Sequence, residues 1–168
     1  KANPTTNIRP DENYARELLQ LFSIGLQRLN PDGTPVRDAA GDIVPAYTEE
    51  DVKQFTRALT GWTYASRNGR APRAHNSPFY GELMVPVESL HDTGPKTLLN
   101  GTQLEAGRTA QQDLDAVIDN LYWHPNIAPF LSRLLIQQLV TSNPSPSYMK
   151  RVVAAFEDNG AGVRGDMT

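Results

Sequence analysis

Apolar residues recur at helical spacing in five stretches of the chain. In the first, Tyr14, Leu18 and Leu21 form one stripe, and Ala15, Leu19, Phe22 and Leu26 form its neighbour. Together they make a face wide enough for a core helix. Pro10 and Asp11 open it, Glu12 puts negative charge at its positive end, and Gly25 is the expected stop. In the second, Thr48-Glu49-Glu50-Asp51 resembles a capping box with Asp in place of Glu. Val52, Phe55, Leu59 and Trp62 follow as one helical stripe, and Gly61 is expected to end it. The third is marked by Thr109 and Gln112, a further capping box, and by Leu114, Val117, Ile118, Leu121 and Tyr122. His124-Pro125-Asn126 breaks it, and Asn126 is placed to cap the fourth. That stretch is the most hydrophobic, with Ile127, Phe130, Leu131, Leu134, Leu135, Leu139 and Val140, and it predicts the most buried helix. Ser145-Pro146 caps the fifth, which carries Tyr148, Val152 and Phe156 and stops at Asn159-Gly160. Gly165-Asp166 reads as the start of a sixth, so the chain is expected to be a fragment of a longer protein.

Two stretches lack that period. Residues 26–47 hold two turn signals, Asn30-Pro31-Asp32-Gly33 and Asp38-Ala39-Ala40-Gly41-Asp42, and predict a small exposed β-hairpin excursion. Residues 63–107 are punctuated by Pro72, Pro78, Pro86 and Pro95 and by five glycines. Long loops of this kind inside a domain are functional or disordered, and Leu83–Val87 is a candidate strand within it. The expected fold is therefore all-α, mainly a helical orthogonal bundle, with a hairpin excursion and a long ordered loop. A length of 168 residues suits a single helical domain spanning 1–168.

Composition narrows the function classes. A formal charge of −3 argues against a dedicated nucleic-acid binder. No apolar run approaches the length of a membrane span. The absence of cysteine removes disulfides, thiol nucleophiles and Cys-ligated zinc.

Four groups of residues are candidates for chemistry. His91, Asp92 and Lys96 sit together in the long loop, where a His beside an Asp suits proton handling or a divalent metal. The same Asp-x-Gly-Pro run also makes a plain turn. Glu17 lies beside the first apolar stripe, so partial burial is expected, either as a general acid or clamped to an arginine. Arg67, Arg70 and Arg73 cluster in one loop, which suits an acidic glycan or simply a solvated face. Trp62 and Trp123 each end an apolar stripe, which reads as core ahead of sugar stacking, and His124 at a helix junction reads as packing. No phosphate loop and no nucleophile elbow is present.

Several segments together resemble a known family. They are Glu12 through Gly25, Tyr47 through Val52, Arg57-Ala58-Leu59-Thr60-Gly61-Trp62, His91 through Lys96, His124-Pro125 and Asn143 through Pro146. Asp158-Asn159-Gly160 and Val163-Arg164-Gly165-Asp166 follow. This pattern resembles the bacterial domain of unknown function family 1800 over nearly the whole chain. The resemblance implies a mostly helical, exported protein, periplasmic or secreted, with no established activity. It also implies a sulfatase-like exported partner, because genes for the two often adjoin. The family-typical positions are Arg16, Glu17, Arg57, Trp62, His91, Asp92, Lys96 and His124.

Three functional expectations follow. The first is an interaction or scaffold module at the bacterial surface. The second is a hydrolase of extracellular glycans or their esters, with Glu17, His91 and Asp92 catalytic and with Arg16, Arg57, Trp62, Lys96 and His124 binding. The third is a non-catalytic binder of acidic glycans that uses the arginine loop.

Overall fold

The computed structural model describes residues 10–67, 77 and 79–166. Among the described residues five helices run in chain order: α1 (Asn13–Gln20), α2 (Glu49–Ala58), α3 (Ala110–Tyr122), α4 (Ile127–Leu139) and α5 (Pro146–Glu157). Four two-residue strands accompany them: β1 (Trp62–Thr63), β2 (Val85–Pro86), β3 (Lys96–Thr97) and β4 (Gln103–Leu104). The protein is mostly helical, as expected, but an all-α label is too narrow, because β1 pairs with β2 and β3 with β4, both antiparallel. The residues fall into two compact units, Lys1–Arg16 with Glu49–Asn120, and Glu17–Thr48 with Leu121–Thr168.

In the first unit, α2 carries Glu49, Glu50 and Asp51 in its first turn and Arg57 in its last, which complements the helix dipole at both ends. It buries Val52, Phe55 and Ala58, and Ala15, Leu98, Leu99, Leu104, Ala110 and Val117 are also buried in this unit. The apolar stripe continues past the end of α2 at Ala58, and the chain turns at the stop expected at Gly61. Gly61 adopts φ +91° and turns the chain out of α2, so Trp62 enters β1 opposite Pro86. A Cβ at Gly61 would come within 3.2 Å of the His91 backbone nitrogen and the Val87 carbonyl, so the turn requires glycine. The capping box of α3 is formed in both directions. Thr109 N donates to Gln112 Oε1 at 2.9 Å and Gln112 N to Thr109 Oγ1 at 3.2 Å. Glu88 Oε2 accepts from Ala110 N at 3.1 Å and satisfies a further donor there.

In the second unit, residues 26–46 make more than a hairpin. Three segments bridge pairwise, at Gln27–Pro45, Leu29–Pro35 and Arg37–Ile43. Arg28 N donates to Val44 O, Val44 N to Val36 O and Val36 N to Arg28 O, which closes a ring of three hydrogen bonds. The turns are held by Asp32 Oδ1, which accepts from Thr34 N, and Asp38 Oδ1, which accepts from Ala40 N and Asp42 N. Asn126 does not cap α4 with its side chain. Its Oδ1 accepts from Leu29 N at 2.6 Å, and its Nδ2 donates to Ile24 O at 2.5 Å and Gln27 O at 2.8 Å. Ser145 does cap α5, accepting from Tyr148 N, with Pro146 behind it. Ala128 and Ile136 of α4 pack with Met149 and Val153 of α5. The apolar end of α4 is less buried than its sequence predicts, since Leu139 and Val140 are exposed. Trp123, expected in the core, is also exposed.

Candidate functional site

His91 through Lys96 leads from a short 3-10 turn at Glu88–Leu90 into β3 of the first unit. It lies against the end of α2 and the start of α3. Asp113, in the first turn of α3, is the centre of the arrangement, and its side chain is fully buried. Its Oδ2 meets Lys96 Nζ at 2.8 Å and His91 Nε2 at 3.1 Å, and its Oδ1 meets Arg108 Nε at 2.6 Å. Burial by itself raises the Asp113 carboxyl. The hydrogen bonds from Lys96 and Arg108, with the charges of Lys96 and His91, outweigh it and hold the group below the usual Asp value.

Lys96 is buried completely, and its ammonium has three acceptors: Asp92 O, Gly94 O at 2.9 Å, and Asp113. Three acceptors use all three donors of the group. On the other side of His91, Nδ1 lies 3.1 Å from Thr60 O. Thr60 Oγ1 donates to Arg57 O at 2.7 Å and accepts from Asp92 N at 2.8 Å. Arg57 grips Asp92 with two parallel bonds, Nε to Oδ2 at 2.8 Å and Nη2 to Oδ1 at 3.1 Å. Burial raises the Asp92 carboxyl, and Arg57, the Gly94 N–H and Lys96 together bring it below its usual value. Gly94 leaves room for the pair, because a Cβ there would sit 2.8 Å from Arg57 Nη2 and the guanidinium would have to shift.

The sequence-derived site is thus only partly brought together. His91, Asp92, Lys96 and Arg57 form one network in the first unit. Arg16, in the same unit, is bonded instead to Glu49 through two contacts of 2.8 Å and to Glu12 at 3.4 Å. Glu17 belongs to the second unit and is exposed, which corrects the expected partial burial. Among the described residues it makes no ion pair. His124 is buried in the second unit, where Nδ1 accepts from Asn126 N at 3.1 Å. Arg67 lies 5.5 Å above the Phe79 ring, while Arg70 and Arg73 fall outside the described residues. Sequence reasoning missed Thr60, Arg108 and Asp113. An acid in the first turn of α3, five residues after an arginine, was the signal available for the last two.

The polar groups of the network are bonded within the protein. A general acid or base must come within hydrogen-bond reach of a substrate proton. Here both His91 nitrogens and all the Lys96 donors are bonded inside the protein. Both Asp92 oxygens face Arg57, and Asp113 has no exposed surface. Among the described residues no three His, Asp or Glu side chains gather to hold a metal ion.

Beside the network lies a cleft of about 150 Å³, entirely within the first unit. Tyr14, Leu59, Trp62, Val87 and Leu90 give it an apolar lining, and Asp11 supplies a carboxylate. Trp62 Nε1 is buried with no hydrogen-bond partner among the described residues. A second cleft, lined by Trp123 and Arg164, lies within the second unit.

Among the described residues no helix is long and apolar enough to cross a membrane. No curated protein and no solved structure matches the chain. The chain does match, over residues 1–167, the family described as protein of unknown function (DUF1800). That span takes in both units and every motif on which the resemblance rests, so the chain belongs to the DUF1800 family.

Proposed function

We propose that this domain is a non-catalytic interaction module of an exported bacterial protein, and that the cleft of its first unit grips an apolar side chain of a partner protein. The observation that carries this reading is the closure of the network. The His91, Asp92 and Lys96 side chains are already bonded within the protein, while the neighbouring cleft is lined mainly by apolar side chains, with Asp11 as its carboxylate. A cavity near 150 Å³ suits one benzene-sized apolar group. Tyr14, 68% exposed at its edge, adds an aromatic contact surface. The resemblance to the family supports export and a sulfatase-like partner. Recovery of the native protein in the periplasmic or secreted fraction is the expected outcome of cell fractionation, and cytosolic recovery contradicts it.

The binding claim is tested with N-acetyl-leucine amide as the probe. The chain has two tryptophans, Trp62 in the lining of this cleft and Trp123 in that of the cleft in the second unit, so two indole N–H signals report on them separately. Titration is expected to move the Trp62 signal saturably, with affinity on the order of millimolar or weaker, since one buried aliphatic side chain contributes about 1.5–3 kcal/mol. Tyr14→Ala is expected to weaken it several-fold. An unmoved Trp62 signal up to the solubility limit overturns the cleft assignment. Turnover of a nitrophenyl ester that disappears in His91→Ala overturns the non-catalytic reading.

A further inference from the structure

The chain leaves β1 and returns to β2 along two arms that touch beyond the strands themselves. The strands pair Thr63 with Val85. Further out, the Tyr64 and Tyr80 rings meet edge to face, with centroids 5.5 Å apart and planes at 82°. The Arg67 guanidinium lies 5.5 Å over the Phe79 ring, a second contact between the same arms. Gly81 makes room for that ring, since a Cβ there would come within 2.8 Å of Phe79 Cζ. The outgoing arm is anchored, because Thr63 and Ala65, on either side of Tyr64, are both buried. Tyr80, on the returning arm, is 83% exposed.

The rings meet at their reactive ends. The two hydroxyls share a hydrogen bond, which holds the Tyr64 group above its usual value. In a phenol the ortho carbons adjoin the carbon that bears the oxygen. Hydrogen-bonded hydroxyls therefore bring an ortho carbon of each ring near the other. A phenol that loses one electron and its proton becomes a phenoxyl radical, with its spin on the oxygen and on the ortho and para carbons. Two such radicals join readily at ortho carbons. Holding the rings together in advance makes that joining a step within one molecule. The exposed Tyr80 ring has room to swing from the perpendicular arrangement into the biaryl one, while Tyr64 stays with its anchored arm.

We propose that Tyr64 and Tyr80 form an oxidative cross-linking site, coupled to dityrosine by hydrogen peroxide acting through a haem peroxidase. One carbon–carbon bond forms between the rings, and one ortho C–H bond breaks on each. The two protons and two electrons released reduce one hydrogen peroxide to two waters, and both phenol hydroxyls are kept. The new bond closes residues 65–79 into a ring, so a cut after Arg67, Arg70 or Arg73 no longer separates the arms. The coupling uses no residue of the cleft or of the Asp113 network, and it goes beyond the interaction-module reading.

The test treats the whole chain with hydrogen peroxide and a haem peroxidase, over a series of protein dilutions. Dityrosine fluorescence is expected, with the intact mass lower by two hydrogen atoms and the chain still a single one on a denaturing gel. The fractional yield is expected to stay constant on dilution. After trypsin, the peptide that ends at Arg67 is expected to remain joined to the one that begins at Ala74. Tyr64→Phe and Tyr80→Phe, which keep the ring and lose the hydroxyl, are each expected to abolish the product. Tyr80 is the exposed partner, so Tyr80→Phe tests the coupling without disturbing the core, and circular dichroism checks the fold. Absence of dityrosine overturns the proposal, as does its survival in Tyr80→Phe. A product made of linked pairs of chains, with a yield that falls on dilution, overturns it as well, because the coupling would then lie between molecules.

Discussion

Asp113 is the residue on which the first unit turns. Three cationic or donor side chains converge on one buried carboxylate. Removing one partner of a buried ion pair leaves the others uncompensated, which costs about 3–5 kcal/mol. Asp113→Asn is expected to lower the unfolding free energy by about that much, read from urea melts. Lys96→Met in the same background is expected to recover part of the loss, because it removes a buried charge along with its lost partner. A double variant no better than the single one contradicts the coupling. Gly94 carries a smaller prediction. Gly94→Ala places a methyl 2.8 Å from Arg57 Nη2, so the Arg57–Asp92 fork must open. The expected cost is about 1–3 kcal/mol, the usual range for overpacking, and a neutral result contradicts the fork's rigidity.

The elements show where the sequence is legible and where it fails. Capping signals translate directly, because they act within a few residues: Thr109 with Gln112, and Ser145 with Pro146, do in the structure what their spacing implies. Stripe length is less reliable. Leu59 and Trp62 continue the period of α2 beyond its last residue, so the apolar pattern alone overestimates the helix, while the stop expected at Gly61 is where the chain turns away. Asn126 is a failure of another kind. Its position before α4 predicts a cap, whereas its amide bonds three backbone groups roughly a hundred residues away in sequence. Long-range partners of a polar side chain are invisible to local reading. Asn126→Ala is expected to leave these groups unsatisfied at about 1–3 kcal/mol for a buried group. Hydrogen exchange is expected to show faster opening of residues 26–46, while equal protection contradicts the role of Asn126 as their anchor.

At the scale of the molecule, the site was half legible. The residues of the His91–Lys96 loop stood out in the sequence, but their use did not. A His, an Asp and a Lys in one loop suggest chemistry when read alone. Placed around Asp113, they read as a lock that fastens the loop to α2 and α3. Exposed aromatics were underestimated, because a tryptophan that ends a helical stripe reads as core, yet Trp123 is exposed. The binding surfaces follow from what remains open once the charged groups are bonded, and only the folded chain shows that.

The lock has a pH signature. Asp113 and Asp92 are both held below the usual Asp value of about 3.9. A carboxylate depressed in the folded state adds stability that is full above its unfolded value and is lost as pH falls through the folded one. The most direct measurement is therefore urea unfolding of the wild type and Asp113→Asn from neutral pH down to about pH 3, across the range where these groups take up protons. The account predicts that the wild type is flat near neutrality and loses stability progressively below about pH 4, while the variant starts lower and falls less, so the two curves converge. Parallel curves would show that Asp113 does not carry the lock, and would return the His91–Lys96 loop to consideration as a reactive site.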